Sequence, residues 1–276
     1  NYHKILWSKK TYKYYHNLIK GYFSFNIIEH STVLEIGCGN GDLLSFVNPK
    51  YGVGIDISKK FINSAKIKYP NYYFYNTTLD ELNLEFKFDY IIVSGLIGEI
   101  EDIEIFLNKL KQFCNNDTKI IVSYYNKIWE PILKVAELLK LKTSQPIQNW
   151  LSKNDLQNIL FLTDYEIIKH YNKIIFPINF PVISKLFNNI FANLPFFRIF
   201  CLISFVNIKL SQLTEKHDLT TSIIVPAKNE KGNILNLINR IKYFPKKFEL
   251  IFVEGHSQDD TLQEMKNIQK KFTDMD

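Results

Sequence analysis

Short apolar runs alternate with longer amphipathic segments along most of the chain. The runs at 32–36, 51–56 and 89–94 are continuous and rich in Val and Ile, as is typical of strands buried on both faces of a parallel sheet. Between them, the pattern predicts a helix near 41–48 and another that begins after Ser58 as its N-cap. Alternation of strands and helices at this spacing predicts an α/β fold with a parallel, doubly wound sheet.

The same reading continues towards residue 210. It predicts a short strand at 72–75, a helix at 102–114 and a β-branched strand at 119–123. A helix at 132–141 and a helix that begins with a capping box at Ser152–Asp155 follow, and then strands at 165–175 and 198–209.

The glycines are unevenly placed. Only ten occur in 276 residues, yet five lie within one short stretch, between the first two predicted strands and inside the second: Gly37, Gly39, Gly41, Gly52 and Gly54. A chain this poor in glycine uses it where a side chain would collide with something, and we interpret the obstruction as a bound cofactor approached by backbone. A strand, a tight turn and a helix start around these glycines predict a nucleotide-cofactor loop.

The spacing of the loop indicates which cofactor. A dinucleotide fingerprint needs a third glycine at position 42, where this chain has Asp42, and this disfavours a nicotinamide enzyme. The sequence instead gives Glu35-x-Gly37-x-Gly39-x-Gly41, and Asp56 ends the next strand. Acids beside the loop would repel a phosphate. The pattern suits a ligand with a ribose diol and a positive centre but no pyrophosphate, which describes S-adenosylmethionine.

On these motifs, residues 1 to about 212 resemble the class I S-adenosylmethionine-dependent methyltransferases. The resemblance implies a Rossmann-like doubly wound sheet whose last strand, 198–209, is antiparallel. It implies that the loop glycines line the methionine and ribose, that Asp56 holds both ribose hydroxyls, and that Glu35 orients the loop and the amino group of the ligand. The cofactor-binding residues implied in this way are Glu35, Gly37, Cys38, Gly39, Gly41, Asp56, Ile57, Thr78, Leu79 and Ser94.

The adenine contact departs from the family pattern. Thr78 and Leu79 stand where an Asp-Ala pair is common, with Asp80 as a nearby substitute. The loop after the fourth strand also differs, because a Glu-His pair frequent among small-molecule relatives is replaced by Gly98-Glu99.

Two residues are candidates for a catalytic base, which methyl transfer needs only when the acceptor carries a proton. Glu99 is the first, although it also suits the negative charge of a helix N-terminus. His16 is the second, since an N-terminal helix commonly closes over the cofactor in the family, and its other interpretation is an aromatic anchor on the core. Tyr125, Asn126 and Trp129 suit either the wall of an acceptor pocket or the packing of a lid.

Composition limits the partners. The net charge of +6 comes from 34 basic residues, of which only Arg198 and Arg240 are arginines, and the lysines are scattered, so we expect no nucleic-acid partner. Three widely spaced cysteines predict a reduced compartment and no metal site. Residues 1–13 lack the apolar region of a signal peptide, so we expect a cytoplasmic protein.

The most apolar segment is 174–210. Prolines and the charges of Lys185 and Arg198 interrupt every run before it is long enough to cross a membrane. Six apolar residues share one helical face: Ile183, Leu186, Phe187, Ile190, Phe191 and Leu194. This face predicts core or lid packing or, alternatively, peripheral contact of residues 181–194 with the inner face of a membrane.

A second domain is expected after a polar linker. The domains are 1–212, a linker at 213–219, and 220–276. Residues 221–230 form a strand that ends in a Pro-x-x-Asn-Glu turn, and FELIFVEGHSQDDT follows at 248–261. This pair resembles the opening of family-two glycosyltransferases of the GT-A fold, and so implies a partial second α/β unit. By that resemblance Pro226, Asn229, Glu230 and Glu254 face the nucleotide of a sugar donor, and Asp259 braces its loop.

The glycosyltransferase resemblance covers only the beginning of that family. The divalent metal of the family is held by a later DxD motif, and Asp274-Met275-Asp276 comes too early to be that motif. We therefore expect a longer, bifunctional parent protein that methylates a small-molecule or glycan acceptor, such as an envelope precursor. The alternative is a glycosyltransferase whose N-terminal domain is a non-catalytic scaffold.

Overall fold

The chain divides into two compact units. In the computed structural model they comprise Asn1–Gln212 and Leu213–Asp276. The structure describes residues 9–138, 149–211, 221–241 and 248–273. The predicted linker and the Asp274–Asp276 triplet therefore lie outside the described residues.

A seven-stranded sheet forms the centre of the first unit. Its strands are β1 (Thr32–Ile36), β2 (Tyr51–Asp56), β3 (Tyr73–Asn76), β4 (Tyr90–Ser94), β5 (Lys119–Tyr125), β6 (Tyr165–Lys173) and β7 (Ile203–Leu210). They are arranged in the order β3-β2-β1-β4-β5-β7-β6, with β1 to β5 parallel and β7 antiparallel to both of its neighbours. The predicted Rossmann-like, doubly wound fold is confirmed. Strand β7, the last of this sheet along the sequence, is not an edge strand, because it lies between β5 and β6.

Eight helices of the described residues accompany this sheet. They are α1 (Lys9–Asn26), α2 (Asp42–Phe46), α3 (Lys59–Lys68), α4 (Ile103–Leu110), α5 (Glu130–Leu138), α6 (Lys153–Leu162), α7 (Pro181–Asn189) and α8 (Pro195–Arg198). The predicted caps are present: Ser58 accepts a hydrogen bond from the amide of Phe61 at 3.4 Å, and Ser152 and Asp155 form a reciprocal capping box.

Each face of the sheet carries its own core. On β1, Leu34 and Ile36 pack into one cluster, together with side chains of α4 and α6, and Val33 packs into the other, because successive strand residues point to opposite faces. In the second cluster the fully buried ring of Phe205 contacts the rings of Tyr22, Phe23 and Tyr171, with centroids 5.3 to 5.6 Å apart. Helix α1 is thereby fixed against the sheet.

Three boundary predictions near the end of this unit are wrong. Tyr124 and Tyr125 belong to β5 instead of following it, and β7 begins at Ile203, since Arg198 ends α8. The single amphipathic helix expected through residue 194 is broken: α7 ends at Asn189, and a 3₁₀ turn follows at Phe191–Asn193. Pro195 also prevents the helix from running through residue 194, because it holds Leu194 in an extended conformation.

The packing expected for this segment is also corrected. Four of the six residues on the predicted apolar face, Ile183, Leu186, Ile190 and Leu194, are 42 to 55% exposed in this chain. Only Phe187 and Phe191 are half-buried. The face is therefore not a core face.

The second unit is small. Strands β8 (Thr221–Ala227) and β9 (Phe248–Glu254) pair in parallel, with α9 (Ile234–Ile241) between them in the chain and α10 (Thr261–Thr273) after them. Its buried core comprises Ala227, Ile234, Ile238, Met265 and Ile268. The predicted partial α/β unit is present.

Two expectations about the whole chain concern membranes and cysteines. Within the described ranges, none of the helices has the length and apolar character needed to pass through a bilayer. Cys38, Cys114 and Cys201 are buried and form no disulfide.

Two glycine substitutions test this packing. Gly54 lies inside β2, where an added Cβ would stand 2.8 Å from both Cys38 Sγ and the Phe74 ring, whereas Gly21 on α1 has nothing within 4 Å. We expect Gly54→Ala to lower the free energy of unfolding by about 1 to 3 kcal/mol because the buried neighbours must shift. Gly21→Ala should raise it by about 0.5 to 1 kcal/mol, since alanine favours a helix.

Urea denaturation followed by circular dichroism measures both effects. Equal stability of the two variants would contradict the close packing around Gly54.

Candidate functional site

Three strand ends meet at one edge of the first sheet. In the parallel register Glu35 is opposite Gly54 on β2, and Ile36 is opposite Val93 on β4. The loops that follow β1, β2 and β4 therefore leave the sheet side by side at its carboxyl edge. This is where ligands bind in open α/β sheets.

The loop after β1 is a tight, left-handed turn. The amides of Gly37 and Cys38 both donate to the carbonyl of Ile55, at 2.8 and 2.9 Å, and the amide of Gly41 donates to the carbonyl of Cys38 at 2.9 Å. The φ angles of Gly37, Gly39 and Gly41 are +73°, +52° and +74°, a region that strongly favours glycine.

The structure corrects the reason for three of the glycines. A Cβ added at Gly41 would lie 2.6 Å from the Phe74 ring. A Cβ added at Gly52 would lie 2.9 Å from the side chains of Pro49 and Tyr72, and one added at Gly54 would lie 2.8 Å from Cys38 Sγ. These positions need glycine because the protein's own side chains pack there, so a cofactor as the obstruction is the wrong explanation for them.

Gly37 and Gly39 differ from those three positions. At Gly37 an added Cβ would lie 3.3 Å from Leu96, whereas at Gly39 nothing lies within 4 Å. The turn is thus open at Gly39, and backbone is presented to free space there.

Asp56 holds this open turn. Its Oδ2 accepts a hydrogen bond from the amide of Gly39 at 2.9 Å, and its Oδ1 accepts one from the amide of Ser58 at 2.8 Å. The side chain is half-buried. Since each carboxylate oxygen carries two lone pairs, both oxygens can still accept from another donor.

Glu35 is the buried acid beneath the turn. It is 3% exposed, and its Oε2 accepts a hydrogen bond from the amide of Leu44 at 2.9 Å in the first turn of α2. Burial, with smaller effects of nearby Asp42 and Asp56, raises the pKa of Glu35 to about 8, although the Leu44 amide and Lys20 oppose the shift. The carboxyl group is therefore mostly protonated at pH 7.

The remaining candidates for cofactor binding differ in solvent exposure. Ile57 is 79% exposed, Thr78 is exposed, and Ser94 Oγ lies 3.4 Å from Ser123 Oγ on β5. The side chain of Leu79 packs in the core, so only its backbone faces outward. Burial raises the pKa of the Cys38 thiol, which makes it an inert packing group.

Asp80, the proposed substitute for the adenine contact, is exposed and paired with Lys109 of α4.

The two catalytic candidates belong to one cluster at this edge. Glu99 ends a 3₁₀ turn after β4 and is exposed. The pKa of Tyr125 is raised by its burial and by the charge of Glu99, against a hydrogen bond with Tyr15 that lowers it. His16 packs edge-on against Tyr15, with ring centroids 5.3 Å apart. The hydrogen bond between Tyr15 and Tyr125 therefore places the part of α1 that carries His16 against the end of β5.

Asn149 is a site residue that the sequence pattern did not reveal. Its amide donates to the carbonyl of Gly98 at 2.6 Å and its Nδ2 donates to the carbonyl of Ile100 at 2.6 Å, so it fastens the turn that carries Glu99 from both sides. No local pattern signals a contact between residues so distant in sequence.

Asn126 and Trp129, which follow β5, bind the segment before β7. Asn126 Nδ2 donates to the carbonyls of Ile199 and Cys201, both at 3.0 Å, and Trp129 Nε1 donates to the carbonyl of Phe200 at 3.1 Å. These bonds suit the packing role predicted for Asn126 and Trp129, and a role in an acceptor pocket stays a prediction.

In the second unit the predicted residues surround one sheet edge. Ala227 is opposite Glu254, so the turn after β8 lies beside the end of β9. The amide of Asn229 donates to Ser257 Oγ at 3.0 Å, and its Oδ1 accepts from the amide of Gln258 at 2.8 Å. Glu254 accepts from the amide of His256 at 3.0 Å.

Asp259 and Glu230, at the same edge, also form hydrogen bonds. Asp259 accepts from the amides of Lys231 at 3.2 Å and Thr261 at 3.1 Å, which is the bracing expected of it. The amide of Glu230 donates to Thr261 Oγ1 at 2.8 Å, and Pro226 is exposed near the end of β8. No group of three or more His, Cys, Asp and Glu side chains in the described part of either unit is placed to hold a metal.

Two family models match the chain. The model described as a methyltransferase domain matches residues 34–120, and the model for glycosyl transferase family 2 matches residues 222–275. The first match contains Glu35, Gly39 and Asp56, and the second contains Asn229 and Glu254.

Curated relatives are distant. A ubiquinone biosynthesis O-methyltransferase from Rhodopseudomonas palustris is 24% identical over 158 residues, which are 55% of this chain and 60% of that protein. Putative methyltransferase 235L of Invertebrate iridescent virus 6 is 34% identical over 70 residues, 24% of this chain and 26% of that protein. The chain thus spans less than two thirds of the length of either relative.

Solved structures share the fold. An S-adenosylmethionine-dependent methyltransferase from Thermotoga maritima, described as a possible histamine N-methyltransferase, has a TM-score of 0.54 at 12% identity and covers 72% of this chain and 90% of its own. A putative methyltransferase from Haloferax volcanii, solved with the activator Trm112, has a TM-score of 0.53 at 14% identity and covers 72% of this chain and 90% of its own.

Residues 34–120 match a methyltransferase domain and lie in a fold shared with S-adenosylmethionine-dependent methyltransferases, and residues 222–275 match glycosyl transferase family 2.

Proposed function

We propose that the first unit binds S-adenosylmethionine at the edge formed by β1, β2 and β4 and transfers its methyl group to a small-molecule or glycan acceptor. The observation that supports this most directly is the turn at Gly39, which is open, left-handed and held by Asp56. Space at Gly39 allows a ligand to approach the backbone, whereas Phe74 blocks such an approach at Gly41.

The residues at the edge suit this ligand. Asp56 retains lone pairs for the two ribose hydroxyls, and backbone at Gly37 and Gly39 can approach the methionine portion closely. Glu35 supplies a carboxyl group that gains its negative charge when the cationic ligand arrives. Bound S-adenosylmethionine supplies a methyl group that is already activated on a sulfonium, so the chain has to align the acceptor and exclude water.

An acceptor that carries a proton would also need a base. Glu99 and His16 are our candidates for it, since both lie in the cluster joined by Tyr15 and Tyr125. A glycan or envelope precursor is our proposed acceptor class, because the same chain carries a glycosyl transferase family 2 segment. Peripheral contact of residues 181–194 with the inner face of a membrane belongs to the same proposal.

A second function is supported by the second unit. There Asn229, Glu230 and Glu254 surround one sheet edge in the way expected for the nucleotide of a sugar donor. In this alternative the protein is a glycosyltransferase, the divalent metal of that reaction is held by a later part of the family fold, and the first unit is a scaffold. Cofactor binding by the first unit distinguishes the two functions.

Calorimetric titration with S-adenosylhomocysteine tests the proposal. We expect the unaltered protein to bind it and Asp56→Ala to bind at least about a hundredfold more weakly, because each hydrogen bond to a charged group contributes about 1.5 to 3 kcal/mol and two are lost. Asp102→Ala is the matched control, since Asp102 also accepts an amide hydrogen bond, from Ile105 at 2.8 Å, but lies at the start of α4. Circular dichroism checks folding.

No binding by the unaltered, folded protein would favour the scaffold alternative. Equal losses in both aspartate variants would show that Asp56 acts only through folding.

Glu35 gives the proposal a pH dependence. In the free protein its pKa is raised to about 8, so it is protonated below that pH. A bound cation lowers this pKa and drives the proton off, so the affinity for S-adenosylmethionine should rise by about tenfold or more between pH 6 and pH 8. Glu35→Gln keeps the acceptor for Leu44 and should bind with little pH dependence over that range.

The measurement is calorimetry at several pH values and in buffers of different ionisation enthalpy, which counts the protons released. Glu99→Gln serves as the control and should keep the full dependence. Identical affinity of the unaltered protein at pH 6 and pH 8 would contradict this role of Glu35.

A further inference from the structure

The connection between β6 and β7 forms a cap, residues 174–202, at the edge of the first sheet. Lys173 and Tyr125 are both opposite Ile203, so the cap leaves and rejoins the sheet at the carboxyl end of β5. This is also the edge at which Asp56 and the glycine turn lie.

Phenylalanine rings make the cap one continuous apolar body. Seven of them follow one another through ring contacts whose centroids are 4.8 to 6.1 Å apart, in the order Phe180, Phe176, Phe187, Phe191, Phe197, Phe196 and Phe200. Such contacts join α7, the following turn and α8 into a single surface.

The polar groups beneath this surface are satisfied. Asn188, which is 2% exposed, accepts from the amide of Phe176 at 2.9 Å and donates to its carbonyl at 2.8 Å. Its Nδ2 also lies 3.2 Å from the Tyr14 hydroxyl of α1. Together with the bonds from Asn126 and Trp129, these contacts hold the cap in one conformation.

The outer side of the cap is apolar, and the described residues of this unit do not cover it. Ten large apolar side chains between residues 178 and 200 are at least 42% exposed: Ile178, Phe180, Val182, Ile183, Leu186, Ile190, Leu194, Phe196, Ile199 and Phe200. Val182 and Phe196 are the most exposed, at 79% and 68%. A contiguous patch of this kind marks a surface that binds a protein, a ligand or a membrane.

The charges around the patch indicate which of these it binds. No Asp or Glu occurs between Glu166 and Glu215, whereas the same stretch contains Lys169, Lys173, Lys185, Arg198 and Lys209. Lys185 and Arg198 lie within the cap and are exposed. The nearby acid Glu130 at the start of α5 is paired with Lys134. Lys209 is paired with Glu166, whereas no acid among the described residues pairs with Lys185 or Arg198. Exposed Phe, Ile and Val beside these two cations are complementary to an anionic lipid surface.

We propose that the cap docks on an anionic lipid bilayer, with Val182 and Phe196 inserted among the acyl chains and Lys185 and Arg198 at the headgroups. This deepens, and rests on, the membrane contact in the proposed function: it extends the contact from 181–194 to the whole Phe-rich cap. Docking in this way brings the carboxyl edge of the sheet, with its glycine turn, next to the lipid surface.

Vesicle co-sedimentation of the full chain tests this. We expect binding to vesicles of phosphatidylglycerol and phosphatidylcholine, weaker binding to phosphatidylcholine alone, and a decrease with added salt, because screening weakens the charge attraction. The double variant Val182→Asp with Phe196→Asp should lower the partition coefficient by about tenfold or more, since two buried apolar side chains are lost from the lipid.

The matched control is Ile67→Asp with Phe161→Asp. It adds the same two charges at side chains that are 84% and 78% exposed but lie on α3 and α6, away from the cap, and it should bind vesicles more strongly than the cap variant. Titration of both variants with S-adenosylhomocysteine shows whether the sheet edge is intact.

Three results would overturn the docking proposal: no binding to anionic vesicles, equal loss in both double variants, or a dimer in solution that only the cap variant dissociates, since a second copy would then cover the cap. Failure of vesicle binding with normal binding of S-adenosylhomocysteine rejects the cap alone. Failure to bind S-adenosylhomocysteine in the unaltered protein rejects the methyltransferase proposal instead.

Discussion

The hydrogen bond from the Gly39 amide to Asp56 is the interaction on which the candidate site depends. It joins the loop after β1 to the end of β2, and it holds open a left-handed turn at which backbone faces free space. Neighbouring glycines are closed off by Phe74, Tyr72 and Cys38, so they support the turn from behind. One face of this short loop therefore packs against the protein, and the backbone at Gly39 stays open to a ligand.

The buried acid under this loop adds a charge requirement. Glu35 is held by the Leu44 amide in a place where burial raises the pKa of its carboxyl group, and in our proposal a positive ligand restores the negative charge. This gives a physical reason for preferring a sulfonium nucleoside to a pyrophosphate. Phosphate groups would place negative charge beside Asp56 and would keep Glu35 protonated.

Much of the fold follows from local signals in the sequence. The Ser58 cap, the capping box at Ser152 and the apolar runs of β1, β2 and β4 identify their elements because each signal lies within a few residues. Predictions about the site failed where a residue interacts with one that is far away in the sequence. The glycine at position 41 is required by the Phe74 ring, and the turn that carries Glu99 is held by Asn149. The apolar spacing predicts one helical face over residues 183–194, whereas α7 ends at Asn189 and most of that face is exposed, because its burial depends on tertiary packing that no local pattern contains.

The most direct measurement of the central claim follows the amide resonances of the labelled protein during titration with S-adenosylhomocysteine. The account predicts that the largest shifts occur at Gly37, Gly39 and Ser58, the residues that contact or flank Asp56 in the turn. Saturable shifts confined to other parts of the sheet, with those three amides unchanged, would contradict it.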